Sequence, residues 1–136
     1  MNRQIYRKEL DRALLFASKH TDSSGRMIVE GEIDTKDSGW LVLGGIIRGM
    51  EEGWNIGHAD LKDLCRRWTL ASVRVDDVKS AWTTFALLLS LEFAGEKFRG
   101  LFSESEWSEI AHFFRQIDMG YLLAASRNYR VAAAVI

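Results

Sequence analysis

No proline occurs anywhere in the 136 residues. Proline breaks helix interiors because it lacks an N–H and its ring clashes with the preceding turn. A chain without it has no internal stop of that kind, and its 11 glycines must do the punctuation. The apolar residues recur at helical rather than alternating spacing through most of the sequence.

That spacing predicts a first helix over residues 3–19, where Tyr6, Leu10, Ala13, Leu14 and Ala17 share a face. The cluster from His20 to Gly25 is turn chemistry and ends it. Residues 26–34 are the one extended candidate, with Met27, Ile28, Val29 and Ile33 interrupted by Gly31. They predict a loop or a small hairpin, not a sheet. A second helix is expected over 38–54, capped by Asp37 or Ser38 and almost without a polar side in its first two turns. Such a helix is buried on most sides. Gly44, Gly45 and Gly49 inside it admit a close helix–helix contact, the preferred reading, or leave room for a ligand.

Residues 59–70 predict a third helix with the stripe Leu61, Leu64, Cys65 and Trp68, followed by a mixed connection over 71–76. The fourth carries Val78, Ala81, Trp82, Phe85, Leu88 and Leu89, with Asp76 and Asp77 at its start and Gly95 and Gly100 bracketing its end. The fifth has a full entry signal: Ser103 and Glu106 form a capping box, and Phe102 and Trp107 a hydrophobic staple. A sixth is expected from about Asn128, and the apolar run to Ile136 needs a partner surface. Either it docks inside the domain or the chain is the front part of something longer. The fold class is therefore all-α, about six helices in antiparallel hairpins within a single domain over 1–136. An up-and-down bundle is the alternative.

Composition narrows the function classes. Formal charge is −1, and both halves of the chain are balanced, so no nucleic-acid footprint is expected. The longest uncharged run, Ser80 to Leu91, is far short of the ~20 residues a spanning helix needs, so no membrane partner is expected. A lone cysteine, Cys65, excludes an internal disulfide framework and suits a reducing, cytoplasmic setting.

The three histidines, His20, His58 and His112, have no metal-ligand spacing, and the glycines do not form a phosphate cradle, so neither a metal nor a cofactor is expected. His58 reads as part of a helix-entry turn and His112 as partly exposed surface. Cys65 lies on an apolar stripe, the wrong setting for a nucleophile. Adjacent acids occur at Glu51-Glu52 and Asp76-Asp77. At a helix start such a pair is usually a cap and a dipole partner, yet the loop from Ser72 to Asp77 gathers Arg74, Asp76 and Asp77, and loops often carry function. Five tryptophans permit a carbohydrate groove, although Trp40, Trp68, Trp82 and Trp107 read first as core.

Several short segments in the second half carry a resemblance. Asp76-Asp77-Val78-Lys79 precedes the apolar helix Ser80 to Phe93. Then come Phe102-Ser103-Glu104-Ser105-Glu106-Trp107, Arg115-Gln116-Ile117 and Ser126-Arg127-Asn128-Tyr129. Together, over about residues 70 to 136, they resemble the bacterial and fungal family numbered 2264 among the domains of unknown function, which is similar to the (α/α) toroids of six-hairpin glycosidases and polysaccharide lyases. In that family an acidic loop opens an inner helix, and an Asn-Asn-Trp motif stands where this chain has Arg127-Asn128-Tyr129.

The resemblance implies an arc of a toroid, the N-terminal part of a larger ring, acting on an acidic sugar as a hydrolase or lyase. It implies that Arg74 holds a sugar carboxylate, that Asp76 or Asp77 moves a proton, and that Tyr129 stacks or donates one. Asn128 and Trp82 would line the same cavity, with Asp76 and Asn128 within about 10 Å. The reading from a different class is a non-enzymatic helical module that binds a protein, or a second copy of itself, through residues 121–136.

Overall fold

The structure is a computed structural model that describes residues 3–34, 38–74 and 81–117. Six helices dominate it: α1 (Arg3–Lys19), α2 (Ser38–Glu52), α3 (Leu61–Val73), α4 (Ala81–Ala94), α5 (Glu96–Arg99) and α6 (Glu104–Arg115). Two antiparallel ladders complete it: β1 (Met27–Val29) with β2 (Glu32–Asp34), and β3 (Asn55–Ile56) with β4 (Ala59–Asp60). The fold is all-α, as the spacing predicts.

The near-absence of a polar side on α2 has a direct cause. This helix packs against α1, α3 and α4 together. Val42 and Ile46 are fully buried at its centre, in one core with Leu14 of α1, Leu61, Cys65 and Trp68 of α3, and Leu87 of α4. The glycines of α2 settle between their two readings in favour of close contact. A Cβ on Gly45 would stand 2.5 Å from Cys65 Sγ, and one on Gly49 would stand 2.2 Å from the Trp54 ring. A side chain of α3 and an indole fill the space, so no ligand room remains there.

Buried hydroxyls on α3 and α4 donate back to the preceding turn: Thr69 to Cys65 O at 2.7 Å, Ser72 to Trp68 O at 2.8 Å and Ser90 to Ala86 O at 2.9 Å. Each thereby avoids the cost of a dry unpaired group. One charged side chain is buried as well. Arg48 of α2 donates from Nε to Asp11 of α1 at 2.8 Å and from Nη1 to Gly53 O just beyond the C-terminus of α2. A guanidinium at that end satisfies orphan carbonyls and meets the negative pole of the helix.

Four boundaries differ from the sequence expectation. The 26–34 segment forms the small hairpin, but a second two-residue ladder surrounds Gly57-His58, where a helix-entry turn is expected. Helix α2 ends at Glu52 rather than Trp54. Helix α3 starts at Leu61, capped by Asp60, and continues three residues past the expected end, to Val73. Between Gly95 and Gly100 the chain forms the one-turn α5, which places Phe98 in the core. There Phe98 meets Phe102 at 5.3 Å and Trp107 at 6.1 Å between ring centres, beneath the expected capping box and staple of α6. The expected sixth helix near Asn128 lies outside the described residues.

Candidate functional site

The apolar stripe of α3 faces the core, and its opposite side carries a second periodic set. Asp63, Arg66, Arg67 and Arg74 recur there at helical spacing, with the buried Leu70 between them. The three extra residues of α3 bring Arg74 onto that face as its C-cap.

The loop between α1 and β1 lies against this face. A Cβ on Gly25 would stand 2.2 Å from Arg67 O, so only glycine lets the loop backbone approach so closely. Asp22 organises the loop by accepting the Ser24 hydroxyl at 2.7 Å and the backbone N–H groups of Ser24 and Arg26 at 2.9 Å each. The Ser24 hydroxyl, with the Arg26 N–H, holds the Asp22 carboxyl down to about 2. Arg67 Nη1 donates to Asp22 O at 2.8 Å and fastens the loop to the helix.

Loop and helix together form a groove of about 520 Å³. Four arginines line it, Arg26, Arg66, Arg67 and Arg74, with the hydroxyls of Ser23 and Ser24 and a floor of Leu70 and Ala71. Each arginine has a carboxylate partner: Arg26 with Asp22 at 3.1 Å, Arg67 with Asp63 at 2.9 Å, and Arg66 and Arg74 two-pronged with Glu106 and Glu109 of α6. The pairing lowers both glutamates, Glu106 to about 2, because hydrogen bonds from the guanidinium favour the ionised carboxylate.

These pairs do not use up the groove's donors. A guanidinium has five N–H donors, and a two-pronged carboxylate takes two. In three of the four pairs the arginine is the more exposed partner. Its side chain is 39% exposed against 13% for Arg66–Glu106, 49% against 24% for Arg26–Asp22, and 53% against 45% for Arg74–Glu109. In the fourth pair, Arg67–Asp63, the order is reversed, at 25% against 46%.

Among the expected site residues, Arg74 is on this groove and is held by Glu109. Trp82 is the second residue of α4, and its side chain lies outside the described set, as do Asp76, Asp77, Asn128, Tyr129 and the 121–136 face. Arg26, Arg66, Arg67, Ser23 and Ser24 were not singled out from the sequence. The available signal was the i, i+4, i+8 run of Asp63, Arg67 and Ala71 beside Arg66 and Arg74, visible only once α3 is extended past residue 70.

Cys65 is fully buried, donates weakly to Val42 O at 3.7 Å, and has its thiol pushed up by burial, so it is a core residue. His58 and His112 are exposed. Among the described residues no group of histidine, cysteine and acidic side chains has metal-binding geometry, and no helix is long and apolar enough to cross a membrane. No family model, curated protein or solved structure matches the chain. The resemblance to the family numbered 2264 therefore rests on its quoted motifs alone.

Proposed function

We propose that this chain binds acidic saccharides in the arginine groove of α3, as part of a carbohydrate-active helical protein of the (α/α) toroid kind. The observation that carries the reading is the convergence of Arg26, Arg66, Arg67 and Arg74 on one groove with two serine hydroxyls. Arginine matches the planar, two-oxygen geometry of a carboxylate, and hydroxyls match the alcohols of a sugar ring. Held guanidinium planes lose little freedom on binding, which favours affinity.

Catalysis enters through the chain's next residues. Asp76 and Asp77 follow the groove residue Arg74 by two and three positions. In this reading one of them moves a proton at a sugar whose carboxylate the arginines hold, and Tyr129 stacks or donates a proton, with Asn128 and Trp82 beside it. A carboxylate neutralised by arginine makes the proton on its neighbouring carbon easier to remove, which is the chemistry of a lyase.

The test is calorimetric titration with oligouronates and with neutral oligosaccharides of equal length, alongside an assay for newly formed chain ends. The expected result is salt-sensitive binding of the uronates alone, weakened roughly tenfold or more by Arg66→Ala, the loss of about one charge-assisted contact. Equal binding of the neutral sugars, or no binding, removes the proposal. Binding without cleavage keeps the groove and turns the chain into the non-enzymatic module.

A further inference from the structure

Arg66 lines a second groove as well as the first. This second groove measures about 480 Å³ and runs along the same face of α3 toward its N-terminus. Its walls are Trp54, Lys62, Lys97 and Leu101, with Asp63 and Gly100. Three cations, Lys62, Lys97 and Arg66, meet one acid there, and that acid, Asp63, is already engaged by Arg67 at 2.9 Å. Arg66 is itself paired with Glu106, so Lys62 and Lys97 give this groove its positive balance.

Trp54 supplies what the first groove lacks, an aromatic wall. The half-buried ring packs against Gly49 of α2, where a Cβ would stand 2.2 Å from the indole. The Lys62 ammonium lies over the ring at 5.6 Å from its centre, on a flexible stem that can swing aside or bond to an anion. An aromatic face beside cations suits the apolar side of a sugar ring whose edge carries a carboxylate.

We infer that the two grooves are consecutive subsites for one acidic oligosaccharide lying along α3, with Arg66 as the shared contact between neighbouring sugars. The inference rests on the arginine groove being a saccharide site and adds that its ligand is a chain rather than a single sugar. A nucleic acid is the less suited occupant. Single-strand binding stacks successive bases on aromatic rings, and the lining of the two grooves holds one such ring, Trp54.

The experiment compares a short and a long member of one oligouronate series by calorimetry, on the wild-type chain and on the Lys62→Ala/Lys97→Ala double variant. Both lysines are exposed, so the variant is expected to keep the fold, which its circular dichroism and unfolding midpoint check. The wild type is expected to bind the long ligand at least about tenfold more tightly than the short one, because the second contact is made at high effective concentration. The double variant is expected to lose that gain while its affinity for the short ligand stays the same. Tight short-ligand binding with no gain for length overturns the second subsite and leaves the arginine groove standing. No binding of either ligand overturns the arginine groove itself, and an oligodeoxynucleotide of equal charge that binds as tightly as the long uronate overturns the choice of saccharide.

Discussion

Glu106 ties the start of α6 to the outer face of α3 through Arg66. Its carboxylate receives Arg66 Nε at 3.1 Å and a second bond from Arg66 Nη2, while also accepting the backbone N–H of Ser103 at 2.9 Å. The Ser103 hydroxyl returns the favour by accepting the Glu106 N–H at 3.2 Å. One side chain thus closes a helix cap and fixes a groove guanidinium, so the geometry of the groove depends on the cap of a different helix.

Glutamine at position 106 separates the two roles, because its amide oxygen can still accept the Ser103 N–H while Arg66 keeps only the longer ion pair with Asp63 at 3.7 Å. Glu106→Gln is expected to cost under about 1 kcal/mol, the range of a partly exposed ion pair. Glu106→Ala loses the cap as well and is expected to cost about 1 kcal/mol more. The pH dependence has a definite sign. The folded carboxyl titrates at about 2 and its ordinary value is 4.5, so its contribution is complete above the higher value and is lost as pH falls toward the lower one. Glu109 shifts in the same direction through Arg74, and Asp22 through Ser24. Thermal midpoints of the wild type should therefore decline as the solution is acidified from about pH 5 to about pH 2, more gently in Glu106→Gln. A flat wild-type profile over that range contradicts the pairing.

The contact between α2 and α3 at Gly45 gives a prediction whose sign can be reversed. Alanine is the better helix former by about 1 kcal/mol, but its Cβ would stand 2.5 Å from Cys65 Sγ. Overpacking of this kind costs about 1–3 kcal/mol, so Gly45→Ala alone is expected to destabilise. Once Cys65→Ala removes the sulfur, the next neighbours are ordinary contacts, Trp68 at 3.8 Å and Leu14 at 4.0 Å. In that background Gly45→Ala should become neutral or stabilising. Urea midpoints for the four members of the cycle read the coupling directly, and additive effects would show that the two helices do not meet there.

The sequence reveals helices wherever one face is apolar and the entry carries its own signal, as at Ser103 and Glu106. It is less informative where tertiary packing decides the boundary. Helix α3 continues through Ala71-Ser72-Val73 because these residues turn Ser72 and Val73 into the core, and nothing local in that stretch commands a helix. That misplaced end concealed the groove, since Arg74 shares a face with Arg66 and Arg67 only if the helix reaches it. The glycines of α2 look alike in the sequence, and only the sulfur and indole that fill the space decide between contact and cavity. Single-turn α5 was illegible because four residues carry too little periodicity to register.

Trp68 of α3 is fully buried, and its indole N–H donates to Thr21 Oγ1 at 2.9 Å; that hydroxyl donates in turn to Ala17 O at 2.6 Å. Thr21→Val keeps the shape and deletes both bonds, leaving a buried indole N–H without its acceptor. The expected cost is about 1–3 kcal/mol. Thr21→Ser keeps the hydroxyl and should recover most of it. Chemical unfolding followed by tryptophan fluorescence measures both, and a Thr21→Val protein as stable as wild type would show that the indole finds water instead.

The β1–β2 hairpin turns on two residues, Glu30 and Gly31, with φ of +53° and +81°. Positive φ at both central positions is the turn whose twist matches a two-stranded ribbon, and asparagine followed by glycine fits it best. Glutamate is poorly suited, since a Cβ in the left-handed region costs about 1–2 kcal/mol. Glu30→Asn is therefore expected to stabilise the protein by about 0.5–1 kcal/mol, as asparagine tolerates that region better than other side chains. Gly31→Ala is expected to act in the opposite direction by about 1 kcal/mol. A Cβ at position 31 meets nothing within 4 Å, so the effect reports backbone strain alone, free of any packing contribution. Thermal midpoints that move the same way for both substitutions would mean that this turn does not hold its two residues in the left-handed region.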